Sequence, residues 1–207
     1  MAFGEDATAF SMAKSALGKL ERLKEAAGQG ASPGSDRAWL GREALALADS
    51  ARAALSLGRY SEAEAAARTL TGLRSALEAE QRDWLGSDGP LDAFWGQVLL
   101  AQAQMGQGHR EDALKTIEPA LTHYRKMQVQ GAGYLGFRQH FARALYLQAV
   151  AQPEDGPGNA QCRDSLDQAA RLLNDLPEEA RQLHDSKELI SWIGAARKKL
   201  NGEASQP

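Results

Sequence analysis

Along most of this chain apolar residues recur every three or four positions, the spacing that lines one face of an α-helix. Between Glu5 and Ala27 the stripe is Phe10, Ala13, Leu17 and Leu20, with Lys14, Lys19, Glu21 and Lys24 interspersed, an amphipathic helix. The run Gly28 to Ser35, GQGASPGS, collects breakers of regular structure and reads as a flexible connection. Leu45 to Leu70 then reads as a complete helical hairpin. Leu45, Ala48, Arg52 and Leu55 form one stripe and Ala63, Ala67 and Leu70 a second, with Gly58-Arg59-Tyr60 between them. A glycine there can adopt the left-handed backbone that ends a helix, and Ser61 followed by Glu64 has the pattern of a capping box at the next helix start.

The punctuation continues down the chain. The first helix of the hairpin is predicted from Asp36 to about Leu57 and the second from Ser61 towards Trp84, where Ser87-Asp88-Gly89-Pro90 closes it. Leu91 to Gln107 and Arg110 to about Gln128 make another pair around a turn at Gly106 to Gly108, with a kink or a displaced boundary expected at Pro119. Gly131 to Gly136, GAGYLG, has the spacing of a dinucleotide fingerprint but lies between helices rather than after a strand, so it reads as a connection. Tyr134 to Gln152, Cys162 to Asn174 and Ser186 to Leu200 are further helices, with a short helical turn after Pro177 and a polar tail from Asn201.

The turns can be aligned. Ser50-Ala51-Arg52-Ala53 precedes Gly58 and Ala63, Leu100-Ala101-Gln102-Ala103 precedes Gly108 and Ala113, and Phe141-Ala142-Arg143-Ala144 repeats the four-residue pattern. Small residues at matching places let neighbouring helices approach closely. The pattern resembles the tetratricopeptide repeat family. The family's small residue in the first helix matches Ala51, Ala101 and Ala142, its small residue at the start of the second helix matches Ala63 and Ala113, and its later alanine matches Leu70 and Ala120. LGRYSEAEAAARTL is the best match and MGQGHREDALKTIEPAL the second, with Arg110 where the family has an aromatic residue. In the third unit Leu166, Ala170 and Leu173 fit only after a loop insertion, and the step from Gly58 to Gly108 exceeds the family's usual ~34 residues.

What the resemblance implies is an all-α fold without a sheet, about seven to nine helices stacked as antiparallel hairpins in an α-solenoid. On that reading residues 1–35 are an N-terminal helix and linker, 36–176 the repeats, and 177–207 a C-terminal capping helix and tail. Extended, degenerate repeats of this kind also resemble those of bacterial multidomain signalling and regulatory proteins.

Composition adds mainly exclusions. The chain is 43% hydrophobic but only 6% aromatic, with 25% charged residues, the Ala- and Leu-rich balance of a helical protein. A net charge of −3 gives no electrostatic reason to bind nucleic acid, and no nucleic-acid-binding motif is present. One cysteine, Cys162, can form neither an intrachain disulfide nor by itself a zinc site, which fits a reducing, cytoplasmic compartment. Glu5 and Asp6 stand where a secretory signal would be basic, and no run is long and apolar enough to insert in a membrane. His109, His123, His140 and His184 lack the close pairing of a helix-borne metal site, and Cys162 with His184 has no flanking pattern of a nucleophile and base. No cofactor, metal or catalytic residue is therefore expected.

In the resembled family the first helices of successive hairpins line a groove that holds a peptide or protein segment. Carried over, this face comprises Arg52 and Leu55, Gln102 and Met105, and Gln139, His140, Arg143 and Tyr146. The family's clamp for a C-terminal carboxylate is absent, since Ala48 and Val98 stand where its lysine belongs. Two arginines with amides and apolar anchors suit an acidic or mixed segment. The expected function is a non-catalytic scaffold or adaptor, with self-association into a dimer as the alternative. Trp39, Trp84, Trp95 and Trp192 are read as core residues filling gaps between hairpins.

Overall fold

A left-handed glycine follows each of two helices, at Gly58 and Gly108, and the two turns have the same backbone sense. The computed structural model describes residues 3–27, 33–73, 94–129, 135–152 and 159–201, which are helix, turn and bend with no strand among them. The described helices are α1 (Phe3–Ala27), α2 (Pro33–Ser56), α3 (Tyr60–Gly72), α4 (Trp95–Gly106), α5 (Arg110–Val129), α6 (Leu135–Ala151), α7 (Asn159–Asn174), α8 (Glu178–Arg181) and α9 (His184–Leu200). The all-α fold class is as the sequence predicts. The chain divides into two compact units, Met1–Gly108 and His109–Pro207.

In the first unit α1 packs on α2, α2 on α3 and α3 on α4, while α2 also touches α4. Packing of each helix on the next, with a further contact to the next but one, is what consecutive hairpins produce. Helix α2 starts at Pro33, earlier than the predicted Asp36, because proline is suited to a first turn, where no N–H bond is needed. It ends in a Schellman motif: Gly58 has φ of 68°, its N–H donates to the Leu55 carbonyl at 3.0 Å, and the Arg59 N–H donates to the Ala54 carbonyl at 2.8 Å. Gly108, with φ of 82°, follows α4 in the same way.

Two local expectations are corrected here. The buried face of α2 is Ala44, Leu47, Ala51 and Ala54, one position away from the predicted stripe, so that Leu45 and Arg52 are exposed and only Ala48 of that stripe is buried. The capping box does not form: α3 begins at Tyr60 with Arg59 as its N-cap and no side-chain cap bond. Glu64 instead accepts from Arg68 Nη2 at 2.5 Å and from Gln107 Nε2 at 2.6 Å, joining α3 to the turn after α4. That charge-assisted bridge removes the carboxylate from its own helix start.

The four described helices of this unit meet in a core of Phe10, Ala53, Ala54, Ala63 and Ala103. Alanine at these crossings lets backbones approach, and α3 and α4 come close at Gly96, where an added Cβ would lie 2.9 Å from the backbone nitrogen of Thr71. A Cβ added at Gly106 would fall on the ring of Tyr60. Helix α3 ends at Gly72, capped at Leu73, rather than running on towards Trp84; the boundary at Ser87 to Pro90 lies outside the described residues.

In the second unit α5 packs on α6, α6 on α7, and α9 on α7 with a smaller contact to α6. Pro119 lies inside α5, which continues through it from Arg110 to Val129, so the helix boundary is not displaced. The core is aromatic: Tyr124 lies edge-on to Phe137 at 5.8 Å, and tilted against Phe141 at 5.6 Å. Gln148 is buried and accepts from both Ser165 Oγ at 3.2 Å and Arg125 Nη2 at 3.3 Å, tying together α5, α6 and α7. On α7 the buried small residue is Ala169, with Leu166 and Leu173, and the predicted Ala170 is only half-buried. Of the GAGYLG run, residues 131–134 fall outside the described residues, and α6 starts at Leu135.

Candidate binding face

Each unit carries its own share of the predicted face. In the first, Arg52 and Leu55 of α2 are one turn apart. Arg52 is exposed, with Asp49 Oδ1 3.8 Å from its Nη1, a long ion pair along one helix surface. Leu55 is half-buried and packs against the core cluster that contains Phe10 and Ala54. On α4, Gln102 and Met105 are half-buried next to the fully buried Ala101 and Ala103. These four side chains thus border the core and offer a cation, an amide and two apolar groups towards solvent.

The second unit is different. Gln139, Arg143 and Tyr146 fall at i, i+4 and i+7 of α6 and so share one stripe, with His140 half-buried beside them. That stripe already has an occupant. Gln139 Nε2 donates to Ser186 Oγ of α9 at 2.8 Å, the Arg143 guanidinium lies 5.3 Å from the centre of the Trp192 ring, and Tyr146 stacks on Trp192 at 5.8 Å with 27° between planes. Arg143 is buried at 9% exposure, in contrast to Arg52, so the two arginines that the repeat register makes equivalent occupy unlike environments. Burial pushes the Tyr146 phenol above its ordinary range, with Arg143 opposing the shift.

Helix α9 is held down along a neighbouring stripe. Ser186, Leu189 and Ile193 are buried, Arg197 Nη2 pairs with Asp167 Oδ1 at 2.8 Å, and Arg163 Nη2 donates to the Leu200 carbonyl at 3.4 Å. Trp192 lies one position off that stripe and is half-buried. Sequence reasoning took it as a core plug, as Trp95 is; Trp39 and Trp84 cannot be compared, since their side chains lie outside the described residues. The available signal was its place beside, rather than on, the apolar stripe of a helix read as a cap.

Cys162 is buried and its Sγ donates to the Ala149 carbonyl at 3.4 Å; burial raises its thiol pKa, the reverse of what an activated nucleophile requires. Among the described residues no group of three or more His, Cys, Asp and Glu could hold a metal ion, and no helix is long and apolar enough to cross a membrane. No protein-family model, curated protein or solved structure matches the chain.

Proposed function

We propose that the chain is a non-catalytic interaction module, a scaffold or adaptor of tetratricopeptide type, that binds an acidic or mixed peptide or protein segment on its first-helix faces. The setting we propose is a cytoplasmic regulatory or signalling protein of a bacterium. One observation supports this above the rest: α2 and α4 each bury an alanine, Ala51 or Ala101, and set beside it an exposed Arg52 or a half-buried Gln102, with half-buried Leu55 or Met105 one turn on, while on α6 the matching Arg143 is buried against Trp192 next to half-buried Tyr146. A helix whose only task was packing would not need an arginine or glutamine there.

The test is capture of acidic peptides from a random library by the whole chain. Arg52→Glu should weaken capture at least tenfold, because an exposed cation is replaced by a like charge against the ligand, while the helical circular dichroism stays as it is. Unchanged capture would remove Arg52 from the face. Arg143 is a poorer probe, since a glutamate buried at its position would disturb the fold as well.

A second reading is self-association, favoured by Met12 at 67% and Leu23 at 50% exposure on α1. The two lie on the same side of the helix, with half-buried Ala16 between them. If this side pairs with a second copy, sedimentation should show a dimer that Met12→Glu with Leu23→Glu converts to monomer. A wild-type monomer at high concentration would rule this reading out.

A further inference from the structure

We infer that Trp192 is a removable plug, seated on the Arg143 and Tyr146 part of the binding face, and that the acidic segment bound there brings an aromatic side chain of its own to take the indole's place. This rests on the peptide-binding reading above and adds to it both a ligand feature and a means of control. The starting point is chemical. A phenol that stacks on a ring and a guanidinium that lies within cation–π distance of the same ring are together a receptor for a planar aromatic group. Neither contact depends on the helix that supplies the ring. Next to them Gln139 holds Ser186, so a polar contact is also made by the resident segment.

The mechanical requirement is that the indole can leave without unfolding its helix. Helix α9 is anchored elsewhere, by the buried Leu189 and Ile193 and by the Arg197 pair with Asp167. Trp192 is on the flank and half-buried, and rotation about its own side-chain torsions would turn the ring outward without moving the helix that carries it. Arg143 is then uncovered on one side, beside Tyr146, and a carboxylate next to the incoming ring gains a cation that the closed form shields. The face has two states, closed by the indole and open, and a ligand that binds only the open state has its apparent affinity reduced by the open fraction. Substituting Trp192 removes the closed state.

The experiment uses the whole chain and two synthetic peptide libraries rich in Asp and Glu, one carrying a central Trp and the other Leu at that position. Wild type, Trp192→Ala and Trp192→Lys are compared by titration, with Trp192→Phe as the variant that retains a ring. The alanine and lysine variants should bind the Trp-bearing peptides about tenfold more tightly than wild type, a smaller gain appearing with the Leu library. Trp192→Phe should behave as wild type. Equal affinity in wild type, Trp192→Ala and Trp192→Lys, with capture by all three, would overturn the plug and leave the peptide-binding face standing. Capture by none would overturn both. If the alanine and lysine variants lose the helical circular dichroism while the phenylalanine variant keeps it, Trp192 is a structural residue of α9 and the plug is likewise overturned.

Discussion

Phe141→Ala is expected to destabilise the chain by about 3–5 kcal/mol, the range for removing a buried aromatic side chain. Phe141 is fully buried, and its ring meets Tyr124 at 5.6 Å and Phe137 at 5.8 Å. The two partners also touch each other at 5.8 Å, so the three rings form a closed set that loses two of its three contacts with one substitution. The residual cavity adds to the loss of transfer energy, because neighbours held by other bonds collapse only in part. Denaturant unfolding followed by circular dichroism gives the number. Less than about 1 kcal/mol would mean that the ring cluster is not the centre of the second unit.

Ala101→Leu and Ala142→Leu should each cost about 1–3 kcal/mol, this time through excess rather than missing volume. Both alanines are completely buried, one on α4 and one on α6, at the positions that the turn alignment makes equivalent. The spacing they protect is visible at Gly96, where even a methyl group would press on the backbone of α3. Thermal melting of the two single variants measures the effect. A neutral result at both would show that the alignment has the wrong register, since a helix face that accepts leucine is not a close crossing.

Among the described residues, most helix ends and the two glycine turns were legible in the sequence because each depends on residues close together in the chain. Gly58 and Gly108 adopt the positive φ that their place after an apolar stripe suggested. The face of α2 was read one position off, for a physical reason. Hydrophobicity ranks leucine above alanine, and α2 from Ala44 onward has alanines on several sides, at 44, 46, 48, 51, 53 and 54, all of them buried, so Leu45 and Leu55 drew the stripe towards themselves. The capping box failed because a distant amide, Gln107, competes for Glu64. The same limit applies to the candidate face. Its residues on α6 followed from register, but the occupation of Gln139, Arg143 and Tyr146 by α9 is a contact between distant parts of the chain. Periodicity carries no information about such contacts.

The ring of Tyr60 over Gly106 also accounts for an irregularity further along. Tyr60 opens α3, and the glycine that makes room for its ring is near the end of α4. In the aligned unit that follows, the residue opening the second helix is Arg110, and the residue matching Gly106 is Leu147, which is buried. Ring with glycine has become arginine with leucine. If the two hairpins are superposed on their aligned alanines, a tyrosine at 110 would face leucine where Tyr60 faces a glycine. On that alignment, a graft of the first hairpin's turn into the second would have to carry the glycine as well as the tyrosine.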